Sequence, residues 1–265
     1  METLDKFKDI TVVAIYGNGQ GDMAIPAIEK TCSELPGSKP LLITNKMFNT
    51  RIPQKQIAPL THITYSQFVM YGLHNFIDTK YALIVQHDGW ALNGENWRDE
   101  WFDFDFIGGL THAALSGLTY YTNYMYVGHP NLFIVQNGGF SLRSKAFLEA
   151  PTKYGIFAQN LDHELFHNED IQLCCFMRSY LEEVGMKFAT DEEAKLFSFE
   201  HLSSIVHKDI DIKKIFGHHS RFRKLVAPKF MEWHLTDFET MQIDKEPEIF
   251  RMFENYGYHI TKTNG

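Results

Sequence analysis

Residues 10–21 read ITVVAIYGNGQG, an unbroken apolar and β-branched run from Ile10 to Tyr16 closed by a glycine-rich turn. A run without polar alternation is the pattern of a strand buried on both faces. Helical spacing follows from Asp22 to Leu35, and Pro36-Gly37 stops it. Leu41 to Thr44 then reads as a second buried strand, Gln67 to Ile77 as a helix, and Tyr81 to Val85 as a third strand that ends at Gln86-His87-Asp88. Strands alternating with helices in this way predict an α/β fold. Asp105 to Gly108 and Leu132 to Gln136 add short strands, and Asp170 to Val184 reads as a helix. No internal repeat or Gly/Ser/Pro-rich linker breaks the chain, so one continuous unit with an irregular last third is expected.

Composition narrows the function classes. The 265 residues are 44% hydrophobic and 14% aromatic, which excludes a disordered or fibrous chain. A formal charge of −8 argues against a nucleic-acid binder as a whole. The balance reverses locally: from His207 to Lys229 seven Lys or Arg stand against Asp209 and Asp211, a run that suits either a solvated face or a phosphate grip. Cys32, Cys174 and Cys175 make no disulfide framework, which points to a reducing compartment. The charged opening METLDKFKD and the lack of an 18-residue apolar run predict a cytoplasmic protein without a membrane span.

Several motifs carry chemistry. Gly17 and Gly19 have Asp22 at the third glycine's place and no acid near Lys46, which argues against a nicotinamide or flavin site; a nucleotide cover and a plain turn both fit the loop. Asp88 ends an apolar strand, where open α/β sheets bind ligands, and a carboxylate there suits Mg²⁺ or Mn²⁺ held against a diphosphate. Gly138-Gly139, after Asn137, allows close approach of a bulky ligand. Glu169-Asp170 puts two acids at a helix start, as a cap or as a catalytic pair. His163-Glu164-Leu165-Phe166-His167 matches HExxH, which on an α-helix presents two imidazoles to a zinc ion with the glutamate as base.

Taken in order, Gln86-His87-Asp88-Gly89-Trp90, Trp97, Asp105-Phe106-Ile107-Gly108, Asn137-Gly138-Gly139-Phe140-Ser141-Leu142-Arg143-Ser144, Glu169-Asp170 and Phe216-Gly217-His218-His219 resemble a bacterial and viral glycosyltransferase family. That family was long classed as a domain of unknown function and is often found near capsule or lipopolysaccharide genes. The resemblance runs from about residue 60 to 222 and implies a single GT-A-like domain with a mixed, mostly parallel sheet flanked by helices. Residues of about 1–110 would form the nucleotide-binding half, 111–235 the acceptor-binding half and 236–265 a C-terminal extension. It implies Asp88 and His219 as ligands of Mn²⁺ or Mg²⁺, with Gln86 replacing the first acid of the usual pair and His218 standing where an aromatic residue is usual. Tyr16, Gly17, Gln86, Asn137, Gly138, Gly139, Arg143 and Arg221 would border the nucleotide-sugar donor, while Trp90, Trp97, Tyr121 and Tyr124 would offer flat faces to sugars. Glu169-Asp170 looks like the acid pair of inverting enzymes, with Asp170 taking the acceptor proton and Glu169 positioning the acceptor. Gly109-Leu110-Thr111-His112 stands where the family often has Ala-Pro-Trp, a departure that bears on sugar or acceptor preference. The expected function is metal-dependent transfer of a sugar from a nucleoside diphosphate to a glycan, lipid-linked, protein or modified-nucleobase acceptor. The competing expectations are a zinc hydrolase built on His163, Glu164 and His167, and a non-catalytic carbohydrate- or nucleotide-binding protein.

Overall fold

A computed structural model describes residues 6–122, 132–234 and 245–263. Strand β1 (Ile10–Tyr16) is buried along its whole length. Its side chains alternate between two cores: Val12, Ala14 and Tyr16 enter one, Val13 and Ile15 the other. A strand pointing alternately into two apolar layers needs apolar residues at every position, which accounts for the opening run.

The chain continues through α1 (Ile25–Glu34), β2 (Lys39–Thr44), β3 (Gln54–Gln56), α2 (His62–Tyr71), β4 (Tyr81–Ile84), β5 (Gly89–Ala91), β6 (Phe106–Ser116), β7 (Thr119–Tyr121) and β8 (Phe133–Ser144). Helices α3 (Lys145–Tyr154), α4 (Glu169–Ile171), α5 (Arg178–Glu183) and α6 (Asp191–Phe197) lead to β9 (Ser198–Phe199) and β10 (Gly217–His219). These strands form one mixed sheet in the order β3-β2-β1-β4-β8-β6-β9-β10-β5, with β7 as a hairpin partner of β6. The first four strands are parallel; β8 then runs antiparallel between β4 and β6, and β9 and β10 resume parallel pairing. Strand β6 crosses residue 110, so the expected nucleotide- and acceptor-side halves share one sheet.

Local signals set the helix ends. Thr61 and Thr64 form a reciprocal cap on α2, Ser144 caps α3, and Gly155 closes α3 in the left-handed conformation. Two expectations change. The strand expected to stop at Gln136 runs on to Ser144, its register with β6 shifting between the Leu110–Gln136 and Gly108–Ser141 pairs so that the glycine pair sits in the irregularity. The helix expected over Asp170 to Val184 is α4, a wide π turn at Gln172–Phe176 and then α5.

A second sheet of β11 (Arg223–Ala227), β12 (Phe230–Trp233) and β13 (His259–Lys262) packs with α7 (Glu246–Asn255) over Trp90 and Phe199. Arg223 is fully buried there, its guanidinium 5.4 Å from the Phe199 ring and 5.1 Å from the Trp233 ring, ion-paired to the buried Glu246 and donating to the Glu200 carbonyl at 2.9 Å. Removing one partner of a buried pair strands the other charge, so Glu246→Ala is expected to cost about 3–5 kcal/mol. The measurement is the urea midpoint, and Arg223→Met/Glu246→Leu together should recover most of the loss because an apolar pair removes both charges.

Candidate functional site

The site lies where β4, β8 and β10 end or pass. After β4 the chain turns sharply, with paired backbone hydrogen bonds between Gln86 and Gly89 of 3.0 and 3.2 Å. The C-terminal part pins that turn: Ser220 N–H donates to the Asp88 carbonyl at 2.8 Å and Leu225 N–H to the His87 carbonyl at 3.0 Å. Tyr16, at the end of β1, is buried; its hydroxyl lies 2.6 Å from His87 Nδ1 and accepts from the His87 N–H at 3.0 Å. Tyr16 therefore fixes His87, and through it the direction of Asp88.

Asp88 is buried, and its Oδ1 has no hydrogen-bond partner among the described residues. His219 Nε2 stands 3.5 Å away and His87 Nδ1 3.6 Å. Burial pushes the Asp88 carboxyl up, but the two rings outweigh it and hold the group at about 2. A buried carboxylate with an unfilled acceptor site is suited to a hard cation.

The hydrogen bonds of His219 alter its expected role. Asn137 Oδ1 accepts from the N–H groups of Gly139 and Phe140 at 2.7 and 3.3 Å, which fixes the amide and turns Nδ2 toward His219 Nδ1 at 2.8 Å. With Nδ1 accepting, the ring proton sits on Nε2, 3.1 Å from Gln86 Oε1. Burial lowers the affinity of the ring for its proton, but Asp88 more than reverses this. His219 Nε2 is thus placed as a donor to Gln86, with Asp88 Oδ1 3.5 Å away.

Glu169 and Asp170 start α4, and one buried cation separates their roles. Arg143 has no solvent exposure; its Nη2 lies 3.1 Å from Glu169 Oε1 and 3.4 Å from the Gly138 carbonyl, and its Nε donates to Ser141 Oγ at 3.1 Å. Arg143 therefore holds Glu169 from behind and does not reach a donor, which corrects the sequence expectation. Asp170 Oδ1 accepts the Ile171 N–H at 2.8 Å, and burial, then Glu169, raise its carboxyl to about 7. Side chains at Gly138 and Gly139 would strike Glu169 Oε1 and His219 Nε2, so the glycine pair gives room to these two groups.

These residues enclose a cavity of about 360 Å³ whose wall includes Gln86, Asn137, Glu169, Asp170, Glu200 and His219. Asp88 lies beside it, against His219. Glu200 and His201 were not legible as site residues, and His112 only as the end of the Gly109–His112 departure: Glu200 and His112 line the cavity, and the three come together where β9 pairs with β6. Asp170 sits near 7 partly because of Glu200.

Other expected residues lie elsewhere. Trp90 is fully buried, donates its indole N–H to Tyr258 at 3.0 Å and packs edge-on to His218, while Trp97 packs on Phe7, Trp101 and Phe216; both are core, not sugar platforms. Gly17 makes room for Leu60, whose N–H donates to the Gly17 carbonyl at 2.9 Å. Arg221 is exposed, its guanidinium 4.9 Å from the Phe222 ring centre. From β7 it is Tyr120, not Tyr121, that lines the cavity, and Tyr124 lies outside the described residues. The HExxH segment forms a 3-10 turn at Glu164–His167 instead of an α-helix. His163 Nδ1 accepts from the Leu165 N–H and His167 Nε2 donates to the Leu161 carbonyl at 2.7 Å, so the two imidazoles are committed to separate backbone contacts.

No curated protein is similar in sequence at a significant level. Among solved structures, the bifunctional IspDF from Campylobacter jejuni is similar over 77% of this chain and 54% of its own, at 12% identity and a TM-score of 0.34, so this chain spans about half of its length. The model of the family described as "Protein of unknown function (DUF5672)" matches residues 46–219, a span that holds Asp88, the cavity wall and His219, and the chain belongs to that family.

Proposed function

We propose that this protein is a metal-dependent glycosyltransferase with a GT-A-type nucleotide-diphospho-sugar fold, transferring a sugar from a nucleoside diphosphate to an acceptor hydroxyl with inversion. The observation that carries this reading is the pairing of two carboxylates of opposite character at one cavity: Asp88 held ionised at about 2, and Asp170 raised to about 7. Environments that push two acids apart in this way divide anion and base roles between them.

Asp88 Oδ1, helped by the side-chain Oε1 of Gln86, would hold Mn²⁺ or Mg²⁺, ions that take one or two carboxylates plus phosphate oxygens. The bound cation would supply charge neutralisation for the leaving diphosphate. His219, clamped by Asn137, keeps Gln86 in place through its Nε2 proton and stands 3.5 Å from Asp88. Asn137 and Gly139 border the donor sugar at the cavity wall. Asp170 accepts the proton of the acceptor hydroxyl as that oxygen bonds to the anomeric carbon, while the carbon–oxygen bond to the diphosphate breaks and its electron pair leaves with the phosphate. Glu169, bound to Arg143, keeps the proton affinity of Asp170 high.

Two measurements test this. A nucleoside diphosphate at 100 times its dissociation constant should stabilise the fold by about 2.7 kcal/mol, a rise in melting temperature of about 5 °C or more. The rise should require one of UDP, GDP or CDP together with Mn²⁺ and vanish in Asp88→Asn; no shift with any nucleotide sinks the reading. Asp170 works as a base only when deprotonated, so kcat/KM should climb with pH through a midpoint of about 7. Asp170→Asn, which keeps the acceptor for Ile171, should lower kcat by about 10²- to 10⁴-fold and abolish that acid limb.

A further inference from the structure

We infer that His112, Glu200 and His201 form a three-ligand centre for a zinc-class divalent ion, with its open position toward the cavity of Asp170. The inference is independent of the transfer reading, since neither Asp88 nor a nucleotide enters it.

Topology builds the group. Strands β6 and β9 pair in parallel at Leu110 and Phe199, and two residues further along each chain stand His112 and His201. Strand β9 ends at Phe199 and the chain bends at Glu200 and His201, which leaves the two imidazole ring centres 5.5 Å apart. Glu200, between Phe199 and His201, adds a carboxylate, and one ligand atom from each residue lies within 4.8 Å of the others. Ligands bonded at about 2.1 Å around a tetrahedral ion sit about 3.4 Å apart, so side-chain rotations of about an ångström complete the contraction.

Chemistry selects the ion. Two imidazoles and one carboxylate are a borderline nitrogen and oxygen set, suited to Zn²⁺ and its neighbours in the transition series, whereas Mg²⁺ and Ca²⁺ take oxygen sets. All three residues are half-buried, reachable by an ion yet partly desolvated. The buried His112 Nδ1 has no hydrogen-bond partner among the described residues. Arg223 donates to the Glu200 backbone carbonyl at 2.9 Å, and its charge also acts on the Glu200 carboxylate. Among the described residues this is the one group of three or more His, Cys, Asp or Glu side chains gathered closely enough for an ion; HExxH is not another. Three protein ligands with a fourth position on a cavity is the layout of a zinc ion that takes water or a substrate oxygen, and His112 and Glu200 line the cavity that also holds Asp170.

The test uses the full chain, stripped with a chelator and titrated with Co²⁺ and then Zn²⁺. One equivalent of Co²⁺ should give the visible d–d bands of a low-coordinate site, and one equivalent of Zn²⁺ should remove them. Glu200→Gln, which keeps side-chain shape, and His112→Gln should each weaken Zn²⁺ binding by at least about 100-fold with unchanged circular dichroism of the metal-free protein. These two variants serve if His201→Ala does not fold. Asp88→Asn should leave the Co²⁺ spectrum unchanged. Absence of the bands in the wild-type protein, their persistence in Glu200→Gln, or their loss in Asp88→Asn overturns the inference. A nucleotide shift lost in Asp88→Asn is read separately, so failure of the transfer reading and failure of this site are distinguishable.

Discussion

Arg143 has no exposure to solvent, and a guanidinium does not shed its proton inside a protein, so the fold that buries it must bring it an anion. Glu169 is that anion, at 3.1 Å. The pair ties β8 to the start of α4 and thereby sets the position of the next residue, Asp170, on the cavity wall. It also divides the labour of the two acids. Glu169 has its charge compensated from behind; Asp170, with backbone donors alone, is raised to about 7 by burial and by the carboxylate beside it.

The same strand organises the opposite wall. Because β8 runs antiparallel between β4 and β6, its middle residues pass between the Asp88 turn and α4. Asn137 turns its carbonyl oxygen back onto its own chain and gives its amine to His219, which reaches across to Gln86 and Asp88. Gly138 and Gly139 follow without side chains, and the space they leave is occupied by Glu169 on one side and His219 on the other. A methyl group at either position would dislodge one of the two carboxylate arrangements, so the glycine pair is a steric condition for the site.

What was legible in the sequence follows the reach of each signal. The run from Ile10 to Tyr16 and the Asp88 turn could be placed because burial of a strand leaves a contiguous mark. The Glu169-Asp170 pair could be found, but the difference between its members depends on Arg143, 26 residues earlier. Trp90 and Trp97 looked like platforms because an aromatic ring carries no sign of its surroundings; the sheet of β11 to β13 and α7 buries one, and Phe7, Trp101 and Phe216 the other. HExxH failed because its spacing has meaning only at 3.6 residues per turn, and the segment winds as a 3-10 turn. His112 with Glu200 and His201 was invisible for the reverse reason: 88 residues separate its first two members, and only strand pairing joins them.

The charge of the cavity bears on why a cation belongs to the proposed chemistry. Three carboxylates, those of Glu169, Asp170 and Glu200, face one cavity in a chain of net charge −8. Arg143 answers the first, and no ion pair of the other two falls among the described residues. From the basic run, Arg223 is ion-paired to Glu246 behind the wall and reaches Glu200 and Asp88 as a longer-range charge. A diphosphate entering such a space meets like charge at low dielectric, where repulsion is strongest. On the transfer reading, positive charge brought in by bound divalent ions, beside Asp88 and at His112, Glu200 and His201, would offset that repulsion.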